Sequence, residues 1–211
     1  TAYEIYQCDW SSDVCSSDLL IAQMGVEAVR RSIDDIIAYT QRRIRNRIAE
    51  LKPGEYSFTN YLDDDGMGGD PVPIAVTVRV DGDRLSVDFT GSGKEARGAM
   101  NMPTNALNAC VYYSVKALLD PELLPNAGLF EAVSISAPPG TIVNPLPPAP
   151  VGARSITCQK VAGAIFGAFR GVLPRERVIA SGNDVVPAIV FSGALSHRKG
   201  QYVYLETLGG G

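Results

Sequence analysis

The sequence of residues 74–90, IAVTVRVDGDRLSVDFT, indicates the fold of this protein more clearly than any other stretch. Apolar residues alternate with small or polar ones from Ile74 to Val80 and again from Leu85 to Phe89, and a period of two is typical of strands with one buried face. The intervening Asp81-Gly82-Asp83 has the composition of a tight turn. Residues 74–90 therefore predict a β-hairpin within a sheet.

Helical periodicity is found on both sides of this hairpin. Between Leu20 and Leu51 the apolar residues recur every three or four positions, which predicts one long amphipathic helix that Pro53-Gly54 ends. Two further helices are predicted at Thr104 to Leu119 and at Ile156 to Val172, the second with small residues that allow close packing. Further strands are predicted at 56–60, 132–136, 185–191 and 202–205, the last two as core strands. We expect an α+β fold, in which a mixed β-sheet scaffold carries the long N-terminal helix and the packed helices.

Composition excludes some classes of protein. The chain is 45% hydrophobic and 20% charged, and its apolar stretches are shorter than the roughly 18–20 residues that a membrane helix needs. The long helix carries acidic residues as well as its arginines and lacks interleaved aromatic side chains, so a solvated face is favoured over nucleic-acid binding. We expect no membrane and no nucleic-acid partner.

The first 19 residues have neither the basic start nor the apolar centre of a signal peptide. They resemble the translation of a short-read sequencing adapter, above all in CDWSSDVCSSDL at residues 8–19. We interpret residues 1–19 as a non-native, disordered segment and residues 20–211 as a partial domain. Four of the 23 acidic residues lie in that segment, so the rest of the chain has 19 acidic and 19 basic residues and gives no charge argument for a partner.

Cysteine and histidine usage limits the chemistry. Cys8 and Cys15 belong to the N-terminal segment, and Cys110 and Cys158 are too far apart for a CxxC pair, so buried reduced thiols are favoured over a disulfide or a nucleophile. The single histidine, His197, lies in a polar turn, which excludes a Ser-His-Asp triad.

The acidic cluster Asp63-Asp64-Asp65 with Asp70 has two interpretations. Clustered carboxylates suit calcium, but the spacing fails the EF-hand rule, with Met67 where a ligand belongs. The glycines at 66, 68 and 69 favour a turn. We therefore expect no metal site in this chain.

Five residues are candidate substrate contacts, although none is identified as catalytic. Asp88 and Thr90 lead into a glycine-flanked loop whose N–H groups could face an anion, or Asp88 caps that loop. Asn101 and Asn105 flank the start of the 104–119 helix, where amide groups and the helix dipole suit an oxyanion; the alternative is helix capping by Thr104 or Asn101. Arg154 could clamp a carboxylate or phosphate.

Several motifs occur together in one order: PGEYSF, LDDDG, VDFTGS, GAMNMPTN, DPELLPNAG, APPGTIVNP, PVGAR and LETLGGG. This ordered set, from Leu20 to Gly211, resembles the hydantoinase B/oxoprolinase family, which includes N-methylhydantoinase B-type subunits and the related acetone carboxylase alpha subunit. By this resemblance the chain is a C-terminal-half fragment that stops within a motif at Gly209-Gly210-Gly211.

The resemblance implies a cytoplasmic hetero-oligomer in which a hydantoinase A-type ATPase subunit, or a fused domain, binds ATP. It implies ATP-dependent hydrolysis of a small cyclic amide, such as a hydantoin or 5-oxoproline. It also implies a divalent metal in the full-length subunit, held upstream of this piece, with no cofactor bound by the fragment and no activity of the fragment alone. An acetone-carboxylase-like alpha subunit and a non-catalytic assembly region that binds the A-type partner are the alternatives.

Overall fold

The structure, a computed structural model, describes residues 16–177, 188–194 and 200–207. Its α-helices are α1 (Ser16–Met24), α2 (Val26–Ala49), α3 (Thr104–Leu119), α4 (Ala127–Phe130) and α5 (Arg154–Phe169), followed by a 3-10 turn at Arg175–Arg177. Its strands are β1 (Gly54–Leu62), β2 (Val72–Asp81), β3 (Arg84–Asp88), β4 (Val133–Ser136), β5 (Ala188–Ala194) and β6 (Gln201–Thr207). The predicted α+β fold is confirmed.

Strands β1 to β4 form one mixed sheet in sequence order. The β1–β2 and β2–β3 pairs are antiparallel, and β3 pairs with β4 in parallel. The predicted hairpin is present, with Asp81 opposite Arg84 and Gly82 at φ 59°, a backbone angle that favours glycine. A parallel pair needs a crossover connection, and α3 and α4 supply it between β3 and β4.

The two faces of this sheet differ in chemistry. Phe58, Val76 and Ile74 lie on the face that packs against α5, and the register places Val87 and Ile135 on that same face. The opposite face is polar. There the Ser57 and Thr77 hydroxyl oxygens lie 2.9 Å apart, and Arg79 Nε donates to Glu55 at 2.7 Å. Among the described residues, α5 packs on the apolar side of the sheet.

Helix α5 packs closely on β1, as the small residues predict. A Cβ at Gly167 would lie 2.5 Å from the ring of Phe58, and the Asn60 amide donates to the Lys160 carbonyl at 3.2 Å. Side chains of β2 and α3 complete this contact, and Val161, Ile165 and Phe169 lie in the core. The helix begins and ends a few residues earlier than the periodicity predicts.

The prediction of one unbroken helix from Leu20 to Leu51 is wrong, because Gly25 adopts φ 82° and separates α1 from α2. The apolar spacing continues across the break, so periodicity alone does not detect it. Thr40, Ile44 and Ile48 of α2 are buried, whereas Ile33 and Ile36 are exposed at 51% and 57%.

Strands β5 and β6 pair with each other in a two-stranded antiparallel sheet. Their prediction as strands is confirmed, but their prediction as core strands is wrong, since Val190, Phe191 and Val203 are exposed at 56%, 54% and 75%. An apolar run specifies a strand without specifying what covers it. Residues 185–187 and His197 lie outside the described residues.

Two further interpretations from the sequence concern the N-terminal segment and membrane-spanning helices. Ser16–Leu19 form the start of α1, while residues 1–15 lie outside the described range. The interpretation of residues 1–19 as non-native stays a prediction. Among the described helices, none has the length and apolar character required to cross a membrane.

Candidate functional site

Asp88 ends β3 on the polar face of the sheet, and its carboxylate organises the loop that follows. Its Oδ1 accepts hydrogen bonds from the Thr90 amide at 3.1 Å, the Thr90 hydroxyl at 2.9 Å and the Ser136 hydroxyl at 2.8 Å. Partial burial opposes ionisation, but these bonds and the Arg79 charge hold the pKa of Asp88 below its usual range. These contacts match the loop-capping alternative, and Thr90 itself is exposed.

Asn101 is completely buried, and its amide group holds the 96–101 loop together. Its Oδ1 accepts from the Ala96 amide at 2.7 Å, and its Nδ2 donates to the Ala96, Gly98 and Pro150 carbonyls at 2.8, 3.3 and 3.1 Å. An amide side chain offers two donor hydrogens and one acceptor oxygen, so these partners engage all of them. Asn101 therefore links the 96–101 loop to the segment around Pro150.

The start of α3 is not capped by a side chain. Its N-cap residue is Pro103, with no side-chain hydrogen bond, so the predicted capping by Thr104 or Asn101 is wrong. The reason is that Asn101 points inward to its own loop. Asn105 is exposed, and its Oδ1 accepts from the Ala106 amide at 2.8 Å. Of the two asparagines, Asn105 is the one at the surface.

Arg154 is the first residue of α5 and is exposed. Its Nη1 donates to the Val151 carbonyl at 3.3 Å, which holds one terminal nitrogen of the guanidinium group near the PVGAR turn. The preceding Ala153 amide donates to the Ala99 carbonyl at 2.8 Å, and the Thr157 hydroxyl donates to the Met100 carbonyl at 2.5 Å. The start of α5 is therefore joined to the 96–101 loop by hydrogen bonds.

The structure brings some of the five candidates together and separates others. Asn101 and Arg154 belong to one network, through Pro150 and the Ala99–Ala153 bond. Asp88 and Thr90 lie on the polar face of the sheet, whereas α5 packs on the opposite face. Asn101 and Arg154 thus form one group, and Asp88 and Thr90 form another.

A cleft that the sequence did not indicate lies beside the 96–101 loop. It has a volume of about 260 Å³ and is lined by Asp65, residues 68–73 and residues 93–97; we call it the 93–97 cleft. Lys94, Glu95 and Arg97 contribute its charged side chains, and Arg97 Nε pairs with Asp65 at 2.7 Å. That pairing lowers the pKa of Asp65. The signal that could have indicated this cleft in the sequence is the pair of basic residues in GSGKEARG, residues 91–98, because they directly follow the glycine loop.

The acidic cluster forms a turn. Asp64 Oδ1 accepts from the Gly66 amide at 2.6 Å, and Asp65 Oδ1 accepts from the Met67 amide at 2.9 Å. In the parts of the chain that the structure describes, no group of three or more metal-ligating side chains occurs. These residues therefore do not fit the divalent metal that the family resemblance implies.

Two solved structures have the fold of this chain. An ATP-dependent caprolactamase from Pseudomonas jessenii superposes with a TM-score of 0.70 at 25% identity, over 86% of this chain and 32% of that one. A nucleotide-free acetone carboxylase superposes with a TM-score of 0.69 at 15% identity, over 90% of this chain and 27% of that one, and this likeness concerns the fold alone. Both superpositions thus show a fold shared with this chain.

The family is defined by sequence. The model of the hydantoinase B/oxoprolinase family matches residues 16–211, and the chain belongs to that family. The B-type subunit of a putative D-/L-hydantoinase from Pseudomonas sp. (strain NS671) is 30% identical over 202 residues, which are 90% of this chain and 33% of that protein. The chain thus spans about one third of the length of this relative. The resemblance stated from the motifs is confirmed.

Proposed function

We propose that this chain is part of the B-type subunit of an ATP-dependent cyclic-amide hydrolase, of the hydantoinase or 5-oxoprolinase kind. The match of the family model over residues 16–211 is the observation that supports it most strongly. The likeness to a caprolactamase is a second support, because a caprolactam ring is also a cyclic amide. The relative from Pseudomonas sp. is itself named as one subunit of a hydantoinase, which supports a hetero-oligomer with a partner chain.

The chemistry explains why ATP is needed. Resonance in the amide makes its carbonyl carbon a poor electrophile. Phosphorylation of the carbonyl oxygen converts that oxygen into a leaving group, which water can displace. In the proposed enzyme the A-type ATPase partner binds ATP and phosphorylates, and the B-type subunit completes the hydrolysis. The divalent metal would be held by another part of the subunit, and the complex is cytoplasmic in this proposal.

Within this chain, the exposed candidates are the ones suited to contact a substrate. Arg154 is exposed at a turn that hydrogen bonds hold in place, and its guanidinium group suits a carboxylate or phosphate. Thr90 and Asn105 are exposed as well. Asp88 and Asn101, whose polar atoms bind other parts of the chain, position the loops instead.

Two alternatives each rest on an observation. The fold of acetone carboxylase supports an alpha subunit of that kind, which forms a carbon–carbon bond. The exposed residues of α2 support an assembly region that binds the A-type partner. On that helix an open cleft of about 400 Å³ is lined by Tyr39, Arg42, Arg43, Asn46, Arg47 and Glu50.

The test uses a complete subunit that contains this chain, purified with its ATPase-type partner. We expect ATP-dependent ring opening of 5-oxoproline or a hydantoin, measured by the appearance of the free carboxylate. Consumption of acetone that depends on bicarbonate, without ring opening, would place the chain with the carboxylases.

A matched pair of variants separates catalysis from assembly. Arg154→Ala removes a charge at the start of α5, and Arg170→Ala removes an exposed charge just beyond the end of the same helix. The proposal expects lower turnover in Arg154→Ala and near-normal turnover in Arg170→Ala, with equal amounts of complex by size-exclusion chromatography. Unchanged turnover in both variants would favour the assembly alternative.

A further inference from the structure

Strand β1 lies at an edge of the four-stranded sheet, and among the described residues it pairs with β2 alone. It is nine residues long, and its sequence, GEYSFTNYL, contains no proline and no lysine, the residues that commonly protect an edge strand from further pairing. Strand β4, at the opposite edge, is only four residues long and is soon followed by Pro138-Pro139. Of the two edges, β1 is therefore the one suited to accept another strand.

Hydrogen bonds on the far side of β2 show which backbone groups of β1 point outward. The Ala75 amide donates to the Ser92 hydroxyl at 3.2 Å, and the Ala75 carbonyl accepts from it at 3.1 Å. Since Ser92 follows β3, both groups of Ala75 point away from β1. Thr59 lies opposite Ala75, so its N–H and C=O groups point away from β2, and those of Ser57 do the same two residues earlier.

We propose that a second copy of this chain binds at this edge, through antiparallel pairing of β1 with β1 of the copy. A register centred on Phe58 engages the whole strand, with Gly54 opposite Leu62 of the copy. Ser57 then lies opposite Thr59 of the copy, and each such pair exchanges two hydrogen bonds through the outward backbone groups. The pairing is isologous, because the same nine residues serve both copies. It does not depend on the proposed function.

The polar face of β1 is self-complementary in this register. Ser57 and Thr59 are both exposed, and they bring two hydroxyl groups together across the interface. Glu55 is the only charged residue of β1, and it lies opposite Tyr61 of the copy rather than opposite another acid. No like charges therefore meet between the paired strands, which removes the usual obstacle to an edge-to-edge contact.

The other face brings apolar and small residues to the same contact. Phe58 is 37% exposed and lies opposite Phe58 of the copy, an aromatic pair of the kind that stabilises neighbouring strands. On α5, Lys160 and Gly167 contact β1, and Gly163 lies on the flank beyond them, away from the core. Because Gly163 has no side chain, it allows α5 of the copy to approach closely.

A buried polar atom lies on the same flank of α5. Gln159 precedes Gly163 by one helical turn, and its Oε1 is buried without a hydrogen-bond partner among the described residues. An unpaired buried acceptor is costly, so a donor from a neighbouring chain would stabilise it. The flank of α5 and the edge of β1 thus both lack contacts that a second copy can provide.

The first experiment measures the mass of the 211-residue chain by size-exclusion chromatography with light scattering. Reducing buffer prevents cysteine oxidation from linking copies. We expect the mass of two chains, decreasing to that of one chain on dilution. Thr59→Pro removes an outward N–H group without removing a β1–β2 hydrogen bond, and should lose the dimer. Thr59→Val, the matched control, keeps the N–H group and should remain dimeric.

The mass of a single chain for the wild type at every concentration would overturn the proposal. A dimer that persists unchanged in a folded Thr59→Pro variant, as judged by circular dichroism, would also overturn it.

A second experiment locates the interface without any substitution. Amide hydrogen exchange of the wild-type chain is followed by mass spectrometry with residue-level fragmentation, above and below the concentration at which the dimer forms. The Ser57 and Thr59 amides should be protected in the dimer and lose that protection on dilution. The Phe58 amide points toward β2 and should stay protected in both states. A dimer in which Ser57 and Thr59 exchange freely would use another surface and refute the pairing of β1.

Discussion

Asn101 and Asn105 are chemically identical residues in opposite environments, one completely buried and one exposed. We expect Asn101→Ala to lower the free energy of unfolding by about 2–4 kcal/mol, because it leaves the buried Ala96 amide and several carbonyls without partners. Denaturant unfolding followed by circular dichroism measures this value.

Asn105→Ala is the matched control, since it removes the same amide group from the surface. Its effect should stay within about 0.5 kcal/mol, as for other exposed positions. Equal destabilisation by the two substitutions would show that the buried hydrogen bonds of Asn101 stabilise the protein no more than the exposed amide of Asn105 does.

Asp88 provides a prediction about pH. Its folded-state pKa lies below its unfolded value, so ionised Asp88 contributes stability that is present above the unfolded pKa and is lost as pH falls through the folded pKa. Wild type should therefore exceed Asp88→Asn in stability at neutral pH, and the difference should shrink below about pH 4. Thermal unfolding of both proteins from pH 7 to pH 2.5 tests this. A difference that does not change with pH would contradict it.

At this scale the sequence predicted the loop cap at Asp88 as one of two alternatives, because its partner Thr90 is two residues away. It failed for Asn101, whose contacts include Pro150, 49 positions along the chain. It also missed the 93–97 cleft, since that cleft is closed by residues 68–73 across a turn. Hydrogen bonds between near neighbours can be predicted from residue types, and those between distant segments depend on the fold.

At the scale of elements, the contact between α5 and β1 depends on the absence of a side chain at Gly167. We expect Gly167→Ala to destabilise the protein by about 1–3 kcal/mol, because its Cβ would overlap the base of the Phe58 ring. The measurement is the midpoint of urea unfolding.

Gly152→Ala is a suitable comparison, because a Cβ there would meet only the Ala99 Cβ at 3.8 Å. Removal of the ring in Phe58→Ala should reduce the effect of Gly167→Ala, so the double variant should lose less than the sum of the two single losses. Simple additivity would mean that the two residues do not interact.

A salt bridge joins α2 to the end of α3. Arg43 donates two hydrogen bonds to the Asp120 carboxylate, whose side chain is only 4% exposed. We expect Arg43→Ala to lower stability clearly, because the buried Asp120 carboxylate would keep its charge but lose both hydrogen bonds, with only Arg47 left at 4.0 Å. Arg30→Ala, on the same helix, removes a weak 3.8 Å pair with Glu27 that is exposed on both sides, and should have almost no effect. Similar unfolding temperatures for the two variants would refute this.

The elements themselves were largely predictable. Alternation and a DGD turn specified the β2–β3 hairpin, and Thr104 to Leu119 is helical with the predicted bounds. The break at Gly25 was missed because one glycine in a periodic pattern is often tolerated inside a helix. The exposure of β5 and β6 was missed because an apolar strand looks the same whether or not another element covers it.

At the scale of the whole molecule, we expect the 211-residue chain by itself to show no ATP-dependent ring opening. It spans about one third of the relative from Pseudomonas sp., and the described residues hold no metal-ligating cluster. Incubation with 5-oxoproline and ATP, with and without a purified A-type partner, tests this. Turnover by the chain alone would contradict the need for the rest of the subunit.

The contact between β1 and α5 also has a consequence during synthesis on the ribosome. Asn60 and Lys160 are 100 positions apart, so β1 emerges long before the helix that covers it. At roughly 5–20 residues per second the delay is about 5–20 s. For that time the nascent hairpin presents an apolar face to its surroundings, and its protection from aggregation depends on how fast the ribosome delivers α5.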